Sequence, residues 1–413
     1  MTKKSDAPAI RFKGFSDAWE QRKLSEMCGT FEYGLNAAAK EFDGKNKYIR
    51  ITDIDDASRE FLLSDLSSPD ICLDGMSKYL LSSGDIVFAR TGASVGKTYI
   101  YRENDGIVYF AGFLIRAKVN QDNDAEFVFQ STLSPSYEKY IRVTSQRSGQ
   151  PGVNAQEYGE YDLFAPSKEE QQRIGQFLRG IDNLITLHQR KFEKLTNVKK
   201  SMLEKMFPQN GSSYPEIRFK GFTDPWEQRK LSEIADKVTE KNAGLHYIET
   251  FTNSAEFGII SQRDFFDHDI AKMSSLGGYY IVRNEDFVYN PRISTSAPVG
   301  PINRNKLGRI GVMSPLYTVF RPHDVDTTYL EYFFKSKYWH SFMNFNGDSG
   351  ARSDRFSIKD SVFFEMPIPL PYIEEQRKIG EHLTQLDHLI TLHQRELEKL
   401  QNIKKSMLEK MFV

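Results

Sequence analysis

The stretch EEQQRIGQFLRGIDNLITLHQRKFEKLTNVKKSMLEKMF (169–207) recurs almost unchanged as EEQRKIGEHLTQLDHLITLHQRELEKLQNIKKSMLEKMF (374–412). In both copies apolar residues return every three or four positions, as at Ile181, Leu184 and Ile185. This spacing predicts a helix with one apolar stripe, and neither copy contains a proline that would interrupt it. At about 1.5 Å per residue, each helix is roughly 58 Å long.

A helix of that length with a single apolar stripe is not stable alone in water and needs a partner. We expect the two copies to pair with each other as an antiparallel coiled coil. The alternative is that each helix packs only on its own domain, which a stripe of more than five turns disfavours. His188 and His393 interrupt the stripe at equivalent places. Two histidines are a weak ligand set, so we expect no metal site.

A second pair of repeats lies earlier in the chain. Residues 8–27 read PAIRFKGFSDAWEQRKLSEM, and residues 215–234 read PEIRFKGFTDPWEQRKLSEI. The blocks that follow them, roughly 28–168 and 235–373, show no such identity. A frame that repeats while its contents differ indicates one scaffold presenting two distinct specificities, and it predicts a pseudo-twofold internal repeat.

The two unrepeated blocks are interpreted as mixed α/β. Runs rich in β-formers, such as DIVFAR (85–90) and PLYTVFRP (315–322), precede one helical stretch in each block, at 127–142 and 327–345. The expected fold class is therefore mixed α/β (α+β), with two α/β domains separated by two long antiparallel helices. The expected divisions are the first repeat element with its domain at 1–168, a long helix at 169–207, a linker at 208–216, the second repeat element with its domain at 217–373, and a second long helix at 374–413.

Composition limits the possible classes of protein. The chain has 413 residues, more than one ordinary core holds, and 27% of them are charged, which is typical of a well-packed globular protein. Its formal net charge is −1, so any nucleic-acid contact needs a local basic face. No apolar run approaches the roughly 20 residues of a membrane span, and the N-terminus lacks the apolar core of a signal peptide. Only two cysteines occur, Cys28 and Cys72, and a pair in so long a chain is not a disulfide framework. We therefore expect a cytoplasmic protein without membrane contact.

Each block continues from its helical stretch into a polar, glycine-rich loop with arginines. Arg and Gln side chains suit paired hydrogen bonds to guanine and adenine edges, while Ser and Asn side chains and glycine amides suit phosphates. A solvated surface loop is the plain alternative, but the equivalent placement in both blocks favours DNA recognition. The candidate DNA-binding residues are Gln146, Arg147, Gln150 and Asn154 in the first loop and Ser349, Arg352, Ser353 and Arg355 in the second.

A second polar cluster follows a β-rich run in each block and is a candidate for contact with the DNA backbone. Its members are Arg90, Thr91, Ser94 and Lys97 in the first block and Arg292 and Ser294 in the second. The first cluster lies in TGASVGKT (91–98), which resembles a phosphate-binding P-loop. Gly92 and Gly96 enclose three residues instead of four, and a β-rich run follows where a helix should begin, so we expect no ATP binding.

The sequence predicts no catalytic residue and no cofactor site. NPR at 290–292 falls short of the Asn-Pro-Pro-aromatic motif of an amino-methyltransferase, and no glycine-rich cofactor loop accompanies it. HExxH is missing, as is a carboxylate pair with the nearby lysine of a nuclease. The chemistry that these residues favour is recognition.

The whole chain resembles the specificity subunit of a type I restriction-modification system. The residues that carry the resemblance are the duplicated FKGF-[ST]-D-x-WEQRKLSE entry, the GDIVFARTGASVGKT stretch (84–98), the PLPYIEEQRKIGEHL junction (369–383) and the duplicated helix that ends in KKSMLEKMF. One departure is local: the first junction reads LFAPSKEEQQRI (163–174) instead of the proline-rich PIPLPYIEEQRKI (367–379). Its domain-to-helix hinge is therefore expected to differ.

The resemblance implies two target-recognition domains, each of which reads one half of a split sequence in double-stranded DNA, with a non-specific spacer between the halves. It implies that the repeated parts dock two modification subunits, which use S-adenosylmethionine to methylate adenine at N6. Two restriction subunits, which use ATP and Mg²⁺, would complete the assembly. The chain itself would then be non-catalytic and hold no cofactor.

Two other classes of protein stay open at this stage. A non-catalytic scaffold that joins two proteins would show no salt-dependent binding to a DNA library. A stand-alone DNA-modifying enzyme would act on DNA when Mg²⁺ and S-adenosylmethionine are supplied.

Overall fold

The computed structural model describes residues 7–209, 211–266, 272–348 and 354–413. The chain forms two compact units, each assembled from distant segments. Unit 1 comprises Met1–Lys191 and His393–Val413, and unit 2 comprises Phe192–Leu392. Each unit therefore contains one unrepeated block, one short repeat and a segment from each long repeat.

Unit 1 is built from short strands and helices. Its strands are β1 (Glu20–Lys23), β2 (Cys28–Tyr33), β3 (Ala39–Glu41), β4 (Lys47–Ile49), β5 (Ser67–Pro69), β6 (Ile86–Ala89), β7 (Thr98–Ile100), β8 (Val108–Phe110), β9 (Leu114–Val119) and β10 (Asp162–Ala165). Its helices are α1 (Leu24–Met27), α2 (Ala125–Ser131), α3 (Pro135–Thr144), α4 (Ala155–Gly159) and the first part of α5 (Lys168–Lys205).

Unit 2 repeats this plan. Its strands are β11 (Glu227–Lys230), β12 (Ala235–Lys237), β13 (Phe251–Ser254), β14 (Gly258–Ser261), β15 (Tyr280–Val282), β16 (Phe287–Tyr289), β17 (Ile302–Arg304), β18 (Gly311–Met313), β19 (Thr318–Pro322) and β20 (Pro367–Leu370). Its helices are α6 (Gln262–Phe266), α7 (Thr327–Lys335), α8 (Tyr338–Asn346), α9 (Asp360–Phe363) and the first part of α10 (Ile373–Met411), whose end belongs to unit 1.

The central sheets share one topology although their sequences differ. Unit 1 has a four-stranded sheet in the order β2-β9-β6-β7, and unit 2 has one in the order β12-β19-β16-β17. All pairs within these two sheets are antiparallel. In each unit the strand of the short repeat pairs with the strand just before the long helix, β1 with β10 and β11 with β20. The expected mixed α/β class and the internal repeat are confirmed.

One expectation about the helices is wrong in both units. The stretches 127–142 and 327–345 were each expected to form one helix, and each forms two. In the first, Pro135 opens α3 behind Ser134, whose side chain caps the helix by accepting from the Tyr137 amide. Proline lacks an amide hydrogen and so favours the first turn of a new helix. In the second, the backbone of Ser336 is extended, with ψ at 172°, which ends α7.

The long repeats form helices, as expected, and segments of them pack antiparallel. In unit 1 the Nζ of Lys404 lies 2.5 Å from a carboxylate oxygen of Asp182. Near the end of the α5 segment and at the start of the α10 segment, Nδ1 of His393 lies 3.1 Å from Nδ1 of His188. As the position rises along α5, it falls along α10, so these segments run in opposite directions. The equivalent ion pair in unit 2 joins Lys199 to Asp387.

The long helices also pack into the cores of the domains. Each helix therefore packs both on the other long helix and on a domain. In unit 1, Leu178 and Ile181 of α5 are buried in the same apolar cluster as Phe127 of the first unrepeated block. The end of α10 joins this cluster through Leu408 and Met411. Each core is therefore closed by a segment of both long repeats.

The short repeats tie these helices in place. In unit 1, Arg11 donates two hydrogen bonds of 2.7 Å to Glu170 at the start of α5, and the Ile10 amide donates to Lys410 O at the end of α10. The same contacts recur in unit 2, from Arg218 to Glu375 and from the Ile217 amide to Lys205 O. This reciprocal contact gives a physical reason for the two repeats to recur together.

The expected difference between the two domain-to-helix junctions is not found. The helices begin at Lys168 and Ile373, which are equivalent positions of the repeat. Gln171 donates to Pro166 O at 2.9 Å, and Gln376 donates to Pro371 O at 2.8 Å. The junction therefore has the same geometry with and without the additional prolines.

Candidate nucleic-acid interface

The two candidate clusters of unit 1 lie side by side. Thr91 forms a β-bridge with Gly152, and the Gly92 amide donates to Pro151 O at 3.0 Å. The Val153 amide donates to Arg90 O at 2.9 Å. The loop after β6 and the loop between α3 and α4 therefore form one continuous surface.

Unit 2 brings its own two clusters together in the same way. Arg292 forms a β-bridge with Arg355, and the Phe356 amide donates to Pro291 O at 2.7 Å. Arg292 is exposed, and Arg355 is half-buried. The other three candidates of that loop, Ser349, Arg352 and Ser353, lie outside the described residues.

Buried tyrosines fix the base of the first surface. Tyr158 donates to Ala89 O at 2.7 Å and accepts from the Gly96 amide at 3.1 Å, so it joins the two ends of the 90–97 loop. Burial raises the pKa of Tyr158, so its hydroxyl stays neutral and can donate. At Gly96 φ is +83°, and a Cβ there would lie 2.5 Å from Ile141 Cγ2. The tight turn therefore requires glycine.

Arg90 is the most defined candidate on this surface. Its guanidinium carbon lies 5.1 Å from the centre of the Tyr33 ring and 5.9 Å from that of Phe113. Both rings are largely exposed, at 45% and 57%. Cation–π contacts of this kind hold a guanidinium in place without consuming its hydrogen-bond donors. Arg90 is thus held in position with donors available for a base or a phosphate.

Other candidates of unit 1 already have partners within the protein. Asn154 caps α4 by accepting from the Glu157 amide at 2.9 Å. Arg147 is ion-paired with Glu157 and donates to Thr144 O at 2.7 Å. Lys97 is ion-paired with Asp56. These contacts orient the side chains, and their role in DNA binding stays a prediction.

The remaining candidates are small or uncharged. Gln146 and Gln150 are exposed, and Ser94 lies in a 3-10 turn at Gly92–Ser94. A Cβ placed on Gly92 would lie 3.0 Å from Gln150 Nε2, so a larger residue at position 92 would displace that side chain. In unit 2, Ser294 Oγ accepts from the Ala297 amide at 3.2 Å and lies 3.2 Å from Ser296 Oγ.

The aromatic residues Tyr33 and Phe113 were not predicted from the sequence. The sequence shows where aromatic residues stand, but it does not show which of them stay exposed. Their exposure depends on which neighbours cover them in the fold, and no local pattern in the sequence signals it.

Neither a metal site nor a membrane-spanning helix is found among the described residues. Within the described ranges, His, Cys, Asp and Glu side chains nowhere gather in threes that could hold a metal ion. Among the helices of the described residues, none is long and apolar enough to cross a membrane.

The two units thus present loop surfaces of different sequence at equivalent places on one repeated scaffold. The model of the type I restriction modification DNA specificity domain matches the chain twice, at residues 16–197 and 223–402. The chain belongs to this family, and it is a specificity subunit that recognises DNA sequence through two target-recognition domains.

Individual relatives agree with this assignment. The type I restriction enzyme MjaVIII specificity subunit of Methanocaldococcus jannaschii is 24% identical over 365 residues, which cover 85% of this chain and 83% of that protein. The putative MjaX specificity subunit of the same organism is 24% identical over 94% of this chain and 92% of its own length. The crystal structure of a type I S subunit from M. genitalium matches with a TM-score of 0.61 at 12% identity, over 98% of this chain and 99% of that one. This last likeness concerns the fold alone.

Proposed function

We propose that unit 1 and unit 2 read the two halves of one asymmetric, bipartite site in double-stranded DNA. The observation that carries this proposal is the same sheet order in two blocks that lack the near-identity of the repeats. A shared framework places the loops equivalently, while different side chains on those loops select different bases. Because the blocks differ, the half-sites differ.

The long helices set the number of base pairs between the half-sites. They contain 38 and 39 residues, with equivalent starting positions. A continuous helix has a fixed rise of about 1.5 Å per residue, so its length acts as a ruler. The spacer is therefore a property of the repeats and not of the blocks.

The repeats also dock two modification subunits. Leu184 and Leu187 of α5 are 45% and 46% exposed, and the equivalent Leu389 and Leu392 of α10 are 40% and 45% exposed. Exposed leucines at equivalent positions offer two copies of one apolar patch, which suits two identical partners. In the full complex two restriction subunits join this assembly.

The chain is the non-catalytic subunit of that complex. Its modification partners bind S-adenosylmethionine and methylate adenine at N6, and its restriction partners use ATP and Mg²⁺ to cleave DNA. The complex acts in the cytoplasm, which the two free cysteines support, since one of them, Cys72, is exposed. Incubating the purified chain with DNA, Mg²⁺, ATP and S-adenosylmethionine tests this: neither cleavage nor methylation is expected, and either would contradict the proposal.

Selection from a random DNA library tests the reading function itself. The chain, bound to its modification subunits, is expected to enrich one motif of two short blocks separated by a fixed number of unselected positions. Binding is expected to weaken as salt rises, because phosphate contacts release counterions. Salt-dependent binding without any enriched sequence would contradict the proposal, and no binding at all would favour a protein scaffold.

A further inference from the structure

Unit 1 has a cleft beside Arg90 that the reading surface alone does not explain. Its volume is about 510 Å³, within the range of roughly 300–1,000 Å³ that is usual for small-molecule sites. The lining comes from Arg90 and from three stretches of the first block, which lie within residues 33–39, 48–52 and 111–113. All of these stretches are described by the structure.

The cleft is a preformed feature. A Cβ placed on Gly34 would lie 2.1 Å from Ala111 O, so the two walls approach as closely as glycine allows. The buried Tyr48 hydroxyl donates to Leu35 O at 2.6 Å and lies 3.2 Å from Ala37 O. These contacts hold the 34–37 wall in one position before any ligand binds.

The lining is basic and has no acidic group. Arg50 and Arg90 both line it, and no aspartate or glutamate is among its lining residues. Arg50 is fixed by two hydrogen bonds of 2.8 Å to Asp53. Since Asp53 offsets the charge of Arg50, Arg90 is the lining cation that favours an anionic ligand.

The lining also offers aromatic faces and uncharged polar groups. Tyr33 and Phe113 expose much of their rings, as described above, and bases stack on such faces. Asn36 and Thr52 add donors and acceptors of the kind that pair with base edges. An aromatic, polar and basic cleft fits a nucleobase with its phosphate.

The cleft is continuous with the reading surface. Arg90 lines the cleft, its carbonyl accepts from the Val153 amide of the recognition loop, and its own amide donates to Phe113 O at 3.0 Å. A DNA duplex on that surface therefore lies next to the cleft opening. A base reaches such a cleft when it leaves the helical stack.

We propose that this cleft binds one base of the first half-site, turned out of the DNA helix, with Phe113 and Tyr33 as stacking faces and Arg90 near its phosphate. The proposal rests on the proposed function, since it requires unit 1 to read DNA. It assigns the cleft a ligand class and makes Phe113 a specificity-determining residue.

Mismatched duplexes test this proposal. Turning out a base costs its pairing, and a mismatch removes most of that cost beforehand. With the full chain and its modification subunits, a mismatch at one position of the first half-site other than the methylated adenine is expected to tighten binding roughly tenfold, while mismatches at the remaining positions weaken it. If no position of the first half-site shows tighter binding, the proposal is overturned.

Phe113 variants assign the effect to the cleft and not to a partner subunit. Phe113→Ala is expected to abolish the roughly tenfold gain, and Phe113→Tyr, which keeps a stacking face, is expected to retain it. A gain that survives Phe113→Ala would contradict the proposal. If Phe113→Ala binds variants of the second half-site with the same affinities as the unmodified chain, the variant protein is folded. A protein that reads neither half-site would instead contradict the proposed function.

Discussion

Arg90 combines a fixed position with donors that are free to meet DNA. A well-aligned arginine–guanine pair discriminates by about 1–3 kcal/mol. We therefore expect Arg90→Ala to reduce discrimination in the first half-site by roughly tenfold to a hundredfold and to leave the second unchanged. Competition binding with half-site variants measures this.

Two further variants serve as controls for Arg90. Arg142→Ala removes the same charge from the exposed end of α3 and is expected to have little effect on discrimination. Arg292→Ala is expected to reduce discrimination in the second half-site only. Equal losses in both half-sites would argue against separate readers.

The Arg11–Glu170 ion pair joins the short repeat to the start of α5, and single substitutions test how much it stabilises the protein. The side chain of Glu170 is 1% exposed, so its carboxylate depends on Arg11. Removing one partner of a buried pair leaves an uncompensated charge and costs about 3–5 kcal/mol. Arg11→Ala is expected to lower the free energy of unfolding by about that amount, as measured by urea denaturation.

The repeat provides a matched pair for this measurement. Arg218→Ala is expected to have a similar effect, because Glu375 is equally buried. Arg22→Ala, in an exposed pair with Glu20, is expected to change stability little. A stability loss below about 1 kcal/mol for Arg11→Ala would show that the short repeat does not hold the helix.

The pair of long helices is expected to make the stability of the protein depend on pH. The pKa of His393 is lowered by burial and by positive charge on His188 and Lys191. A lowered histidine pKa means that the unfolded chain binds more protons than the folded one, so stability falls as pH falls through about 6.5. The melting temperature is expected to drop between pH 8 and pH 5.5.

A double variant isolates the contribution of this pair. His188→Leu with His393→Leu is expected to flatten part of the pH profile. His340, whose pKa is also lowered by burial, remains in both proteins, so the difference between the two profiles belongs to the pair. Identical profiles would contradict this role.

The long helices could be predicted from the sequence because their signal is local. A three-to-four-residue period over 39 residues without proline leaves little choice of structure, and the observed helices differ from the expected ones by one or two residues at their ends. The break near Ser134 was missed although Pro135 signals it. The break at Ser336, where the backbone is extended, has no proline to signal it.

The site could be predicted only in part, for a related reason. The polar loops were found because residue type suggests chemistry, and the structure places the two clusters of each unit together. Their proximity depends on strand order, which the sequence does not state. The exposure of Tyr33 and Phe113 depends on which neighbours fail to cover them, so spacing along the chain carries no signal for it.

At the scale of the whole molecule, the short repeats serve the framework. Arg11, Phe12 and their equivalents contact the long helices directly, with Phe12 lying 5.7 Å from Phe177 and Phe219 lying 5.7 Å from His382 between ring centres. These residues of the short repeat are thus committed to internal contacts. The docking proposed above therefore falls to the exposed part of the helices.

Helix length is expected to control the spacer. Inserting four residues into both α5 and α10, about one turn or roughly 6 Å, should lengthen the spacer by about two base pairs. The bases of both half-sites should not change. Replacing four exposed helix residues by alanine is the control for altered sequence without altered length. A changed half-site after the insertion would contradict the ruler function.

The most direct test of the account is a methylome. A host carrying the modification subunit receives either this chain or a version in which block 235–373 is replaced by the corresponding block of a relative. Single-molecule sequencing then locates methylated adenines. The account predicts a bipartite motif in which the second half-site changes while the first half-site and the spacer are retained. A change in both halves, or an unchanged motif, would contradict it.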